Sequence, residues 1–161
     1  MRTIVPKQLI SVKKDIQLHV VNRSEGCPAW TNWDALAAFL NESLKPYEDT
    51  LADIRRGIDD AFEQRGGRRG FVLIAETDRR PAGALVMLRT GMKGYVPENL
   101  LLFVAVAPSL RGRSIGRRLV RRAIELTDGD IKLHVEQDNP AQRLYEQVGF
   151  QSKYTEMRYV R

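Results

Sequence analysis

From Trp33 the apolar residues fall at 33, 36, 37, 40 and 44, the spacing with which one face of a helix meets a core. Thr31 or Asn32 stands where an N-cap belongs, and Pro46 follows the last apolar position. Leu51, Ile54, Ile58, Ala61 and Phe62 repeat the pattern, so a second helix is predicted, ending before the glycines at 66, 67 and 70. The period then changes. FVLIAE (71–76) and AGALVML (82–88), separated by TDRRP, predict a hairpin. TGMKGYVP (90–97) is a loop by its glycines and proline, and LLLFVAV (100–106), apolar throughout, is a central strand covered on both faces.

A helical stripe returns at Ile115, Leu119, Val120, Ala123 and Ile124. IKLHVE (131–136) alternates as a strand with Ile131, Leu133 and Val135 inward. Residues 139–148 predict a short helix, with Asn139 as N-cap, Pro140 in the first turn and Gly149 closing it. IQLHVV (16–21) makes a first strand and FQSKYTEMRYV a last one. The order is β-α-α-β-β-β-α-β-α-β. The strands at 100–106 and 131–136, joined through a helix, should run parallel with a right-handed crossover. At 161 residues the chain suits one domain, 1–161, around a single core.

Charge narrows the reading. The chain carries 26 Lys and Arg against 20 Asp and Glu, a net +6. Six arginines, at 111, 113, 117, 118, 121 and 122, crowd into APSLRGRSIGRRLVRR (107–122), and without them the balance is zero. One segment is basic, which suits a local anion better than a general cationic coat. A single cysteine, Cys27, excludes an internal disulfide and a multi-cysteine metal site, and His19 and His134 have no metal-ligand spacing, so no metal is expected. The first twenty residues are broken by Lys7, Lys13, Lys14 and Asp15 and read as neither leader nor membrane span, so a cytoplasmic protein is expected.

The turn RGRSIG lies between a buried strand and a helix. A helix begins with N–H groups that lack partners and with the positive end of its dipole, so an anion is favoured there. Gly112 and Gly116 remove side chains that would hold a phosphate away from the backbone, and Arg111, Arg113 or Arg117 can add charge-assisted bonds. The spacing fits neither a Walker loop nor a dinucleotide fingerprint.

Here the chain resembles the GNAT superfamily of N-acetyltransferases. Its acyl-CoA loop, [QR]-x-x-G-x-[GA] after the fourth strand, is matched by Arg111-Gly112-Arg113-Ser114-Ile115-Gly116. DNPAQRLYEQVGF (138–150) is similar to the family's later motif. The resemblance covers residues 70 to 161 well and the first 65 only by helix order. It implies a GNAT-like α/β (α+β) fold, a mixed central sheet of six to seven strands flanked by about four helices. Ser114 departs from the family, which most often has glycine there; a serine can also cap a helix and donate from its hydroxyl.

The resemblance further implies acetyl-CoA as cosubstrate and transfer of its acetyl group to a primary amine by direct attack in a ternary complex. The amine must be neutral, the oxyanion stabilised and the departing thiolate protonated. Backbone groups of Val104, Ala105 and Val106 are assigned to the oxyanion and pantetheine, and Asn139 to the CoA arm, though it serves equally as an N-cap. Tyr145 is the candidate general acid, against the alternative of a core tyrosine. Glu98, just before the fourth strand, is the candidate base, though its register matches no known base position of the family and it reads more readily as a structural or solvated glutamate. Trp30, Trp33, Tyr47, Met92 and Tyr95, with Glu42, Glu48, Asp49 and Asp53, fall where the acceptor pocket is shaped, and Trp33 reads as core. The acceptor would be a small-molecule or peptide amine, with no nucleic acid or membrane partner, and the chain a monomer or homodimer. Two rivals stand: a catalytically idle acyl-CoA-binding module, and a basic nucleic-acid-binding domain, which lacks aromatic residues interleaved with its arginines.

Overall fold

A computed structural model describes residues 15–161. The segment before them, read above as free of a leader, lies outside the described residues. The hairpin falls where the alternation placed it: β2 (Phe71–Thr77) pairs antiparallel with β3 (Arg80–Arg89). Asp78 and Arg79 at its tip both take positive φ, 50° and 56°, as a tight turn matched to strand twist requires. β1 (Gln17–Val21) flanks β2 and β4 (Asn99–Val106) flanks β3, both antiparallel, and β5 (Ile131–Leu133) runs parallel to β4. The sheet order is β1-β2-β3-β4-β5.

α1 (Trp33–Leu44) and α2 (Leu51–Ala61) cover one face, burying Leu36, Leu40, Ile54 and Ile58 against Val72, Ile74, Val86 and Phe103. α3 (Ile115–Leu126) and α4 (Ala141–Gln147) cover the other, with Ile115, Leu119, Val120 and Tyr145 against Leu73, Leu85, Met87 and Leu101. The predicted stripes face the cores, with Trp33, Leu44 and Phe62 half-buried at the rim and Leu51 and Ile124 exposed. Asn32 is the cap of α1, its side chain accepting from the Ala35 amide at 2.8 Å. Trp33 packs on Phe62 at the rim of the first core and donates to the Ser24 carbonyl. No described helix is long and apolar enough to cross a membrane.

β4 is the strand covered on both faces, and an irregularity divides it. Val86 lies opposite Phe103 and Met87 opposite Leu101, so Leu102 is an extra residue. Leu100, Leu102, Phe103 and Ala105 consequently pack toward α1 and α2, while Leu101, Val104 and Val106 pack toward α3. Gly57 lets α2 close on this bulge: a Cβ there would come 2.6 Å from Leu102 Cδ2 and 2.8 Å from the Phe103 ring.

The sheet is shorter than expected. Five strands are present among the described residues, not six to seven. β5 holds only 131–133 of the predicted 131–136, because the chain turns away after Leu133 toward α4. The final strand is absent: residues 151–161 adopt no regular structure. A strand needs a neighbour to take up its backbone groups, and no described strand pairs with the tail.

The short β5 is held by a buried polar knot. Asn99, wholly buried, donates from Nδ2 to the carbonyls of Asp128 (2.8 Å) and Asp130 (3.0 Å) and accepts from Arg89. Replacing it by an apolar isostere strands two carbonyls and a guanidinium. Asn99→Leu is expected to cost about 2–4 kcal/mol of stability in urea unfolding.

Candidate functional site

Above Leu101, β4 keeps its neighbour on one side only. β5 pairs with Asn99–Leu101, whereas β3 follows β4 as far as Val106. The Ala107 amide donates to the Ala82 carbonyl of the β3 side at 2.8 Å. Backbone direction alternates along a strand, so Ala105 also turns its amide and carbonyl to β3, while Val104 and Val106 turn theirs to the open side. Of the three residues expected to offer backbone groups, Val104 and Val106 face the open side and Ala105 faces β3.

The basic turn sits at the end of this opening. Gly112 has φ +75° and nothing within 4 Å of where a Cβ would stand, so glycine is needed there for the conformation and leaves open space beside the backbone. Ser114 also lies in the left-handed region (φ 63°, ψ 15°) and its side chain makes no capping hydrogen bond, so the expected cap is not formed. The amides of Ile115, Gly116 and Arg117 in the first turn of α3 have no partner within the helix, and Arg118 is the first to close on Ser114, at 3.0 Å. Gly116 touches protein as well: its Cβ would stand 3.3 Å from Leu144 and 3.6 Å from Val106.

The arginines divide their work. Arg111 does not turn outward; it donates to the Ser43 carbonyl at the end of α1 (2.7 Å) and to the Val106 carbonyl (3.4 Å), tying the turn to the other layer. Arg117 reaches Gln147 on α4 at 2.5 Å, Arg118 the Ile16 carbonyl and Arg122 Glu125. Arg113 is exposed and has no hydrogen bond or ion pair with another described residue. It is therefore the cation of RGRSIG that remains for a ligand.

α4 meets the start of α3 through Leu144 and Gly116 and buries Tyr145 in the second core. The side chain is 8% exposed and meets Phe150 edge to face. Burial, with the charge of Glu136 adding to it, pushes the phenol up to about 12, so it keeps its proton near neutrality. The cap of α4 is Pro140, one residue later than expected, and Asn139 stands just outside the helix, its Oδ1 accepting from the Ala141 amide (2.9 Å) and its Nδ2 donating to Glu136 (3.1 Å). The α1–α2 loop closes over this corner through Tyr47, whose hydroxyl donates to the Asp138 carbonyl at 3.2 Å. Glu136 acts on Tyr47 as well as Tyr145. Sequence reasoning did not assign this carboxylate; its outward parity beside the asparagine cap was the available signal.

Glu98 is a correction. It precedes the first residue of β4, about 25 Å along the strand from Val106 at the usual rise. Its carboxylate accepts from the Asp130 amide (3.0 Å). Hydrogen bonds from its own and the Asp130 backbone, with Lys93 and Arg89 nearby, hold it below the ordinary carboxylate range. It braces the turn into β5 and is no base for chemistry at the far end. Met92 and Tyr95 are exposed in the 90–97 loop, at the same distant end of the β3–β4 pair. The cavity of about 360 Å³ lined by Arg23, Gln64, Arg68 and Arg69 also lies there, where the chain enters β2. No group of three His, Cys, Asp or Glu that could hold a metal occurs among the described residues.

Two outcomes follow. A left-handed serine costs roughly 1 kcal/mol, so Ser114→Gly should raise unfolding free energy by about 0.5–1 kcal/mol in chemical denaturation. For Tyr145, the phenol is protonated in both folded and unfolded chains below pH 10, and its burial is then uncompromised. Between about 10 and about 12 only the unfolded chain ionises, so this contribution is lost as pH rises through that window. Tyr145→Phe should flatten the fall in stability measured by denaturation across that range.

The profile of the acetyltransferase (GNAT) domain matches residues 68–152, just over half of the chain. Among solved structures, an aminoglycoside N-acetyltransferase in complex with CoA superposes with a TM-score of 0.66 at 12% identity, covering 95% of this chain and 99% of that one. An aminoglycoside acetyltransferase from an uncultured soil metagenomic sample gives 0.63 at 18% identity, covering 91% and 98%. A transcriptional regulator from Bacillus halodurans C-125 gives 0.62 at 19%, covering 89% and 99%, so likeness at this level speaks for the fold alone. No curated protein matches by sequence. With the matched span taking in the hairpin, the open strand, the basic turn and the tyrosine helix, the chain belongs to the GNAT acetyltransferase family.

Proposed function

We propose that this chain, as a single cytoplasmic domain, transfers the acetyl group of acetyl-CoA to a primary amine by direct attack in a ternary complex. One observation carries the reading: the open side of β4 at Val104 and Val106 runs into the start of α3, where Gly112 clears space beside unpartnered amides. Extended backbone beside a helix N-terminus suits an amide-containing arm that ends in a diphosphate. The residues present fit acetyl-CoA: amides of the turn and Arg113 for the diphosphate, Val104 and Val106 for the arm.

Acetyl-CoA supplies an acyl group already activated as a thioester. The N–H groups on the open side of β4 are fixed by the sheet and stabilise negative charge on an acyl oxygen with little reorganisation. Tyr145 remains protonated and donates a hydrogen bond to the departing sulfur. Its weak acidity suits a donor that steadies the thiolate better than one that gives its proton up fully. Glu48 and Asp49 follow Tyr47, and Glu136 and Asp138 lie on the segment it touches, giving an acidic rim for an ammonium group. Glu136 takes the amine proton directly or through water. With Glu98 committed elsewhere, an idle acyl-CoA-binding module is the second reading.

Calorimetric titration with acetyl-CoA should give one saturable site. Arg113→Glu, which disturbs no internal contact, should weaken it by about tenfold to a hundredfold. In a thiol-release assay with a panel of amines, Tyr145→Phe should lower kcat by about a hundredfold with the affinity for acetyl-CoA little changed. Binding with no thiol released by any amine would leave the idle module, and no binding by folded protein would overturn both readings.

A further inference from the structure

At the end of the sheet away from Val106, the chain leaving β1 runs beside the chain entering β2. Val21 pairs with Val72, and just beyond that pair Arg23 and Arg69 line a common cavity of about 360 Å³. A tight turn shapes its wall. Arg65 and Arg68 each donate an amide to the other's carbonyl, at 2.8 and 3.2 Å, and the two residues between them, Gly66 and Gly67, take φ of 59° and 77°. This fixes the backbone from which Arg68 and Arg69 project. A Cβ on Gly67 would meet nothing within 4 Å, so the main chain there borders open space. Arg23 and Arg69 also line a smaller recess of about 160 Å³ beside Ser24, Glu25 and Phe62.

The charge around this space is unbalanced. The larger cavity has three arginines and no carboxylate in its wall. Arg68 is held by Asp128 at 2.5 Å. Arg23 and Arg69 are exposed and make no side-chain hydrogen bond or ion pair with another described residue. Glu25 borders the smaller recess, and its own backbone and the Ser24 hydroxyl, then Arg23 and Arg69, hold its carboxyl below the ordinary range. Its hydrogen bond is the local one from Ser24, at 3.2 Å. One negative charge therefore stands near two guanidinium groups that it does not pair with.

A guanidinium presents a planar fork that takes two oxygens of one acid group. A carboxylate turns both its oxygens to a single fork, whereas a phosphate keeps a further oxygen for a second. At this volume the cavity is at the small end of ligand sites, with room for a phosphate and a short organic body. We infer that Arg23 and Arg69, with the open backbone at Gly67, form a second anion site that takes the phosphate group of a small molecule. The site lies at the other end of β4 from Val104, Val106 and the basic turn, so its ligand is distinct from the cosubstrate proposed for that turn.

The test is a proton–nitrogen NMR titration of the full chain with inorganic phosphate, run against sodium acetate at equal ionic strength. The amides of residues 67–70 should shift and saturate at about millimolar phosphate, and acetate should not reproduce the shifts. Arg23→Ala and Arg69→Ala each remove a cation with no described partner, so the spectra should report an intact fold and a phosphate affinity lowered about fivefold or more. Glu25→Gln removes the opposing charge and should raise the affinity about twofold to threefold. Phosphate shifts that are absent, or confined to residues 112–117, overturn the site. Shifts that acetate matches overturn the phosphate assignment. Shifts at 67–70 that persist unchanged in both arginine variants, or an affinity indifferent to Glu25→Gln, overturn the placement of the anion between these side chains.

Discussion

Everything functional here depends on how β4 is held: paired with β3 along its length, buried on both faces, and released from β5 after three residues. The Asn99 knot fixes one end of the β4–β5 contact, and beyond Leu101 the two strands part. A strand buried on both faces cannot easily shift, so the groups of Val104 and Val106 on its free side are preorganised by the core. The Leu102 bulge adds a bend and changes which residues face α2, and Gly57 makes that packing possible. An edge that would elsewhere attract another chain is kept here inside a fold, beside a helix start.

The arginine run looked like one object and is several. Arg111 joins the turn to the end of α1, where carbonyls lack helical partners, so the basic turn and the α1–α2 layer share a hydrogen bond. Arg117 and Arg118 stitch α3 to α4 and to the chain before β1. Half of the run is thus used in tying segments together, while within the turn Arg113 and the backbone amides stay unengaged. Ser114 shows the limit of that economy, since its conformation is one that glycine takes without strain.

Tyr145 owes its chemistry to burial. Core packing against Phe150 excludes water from a phenol that also feels Glu136, and both influences favour the neutral form.

Periodicity in the sequence determined the four helices, the hairpin, the doubly buried β4 and the parallel β5, because those patterns report directly which faces leave water. Local chemistry also determined the cap at Asn32 and the turn at 111–116, where each contact spans only a few residues. What the tertiary structure alone decided was every matter of reach between distant segments. Glu98 and Val106 bound one apolar run, yet lie at opposite ends of a strand, and Arg111 answers to Ser43, sixty-eight positions away. The tail alternates like a strand but pairs with no strand among the described residues, and hydrophobic pattern specifies that a segment can pair without specifying that it does.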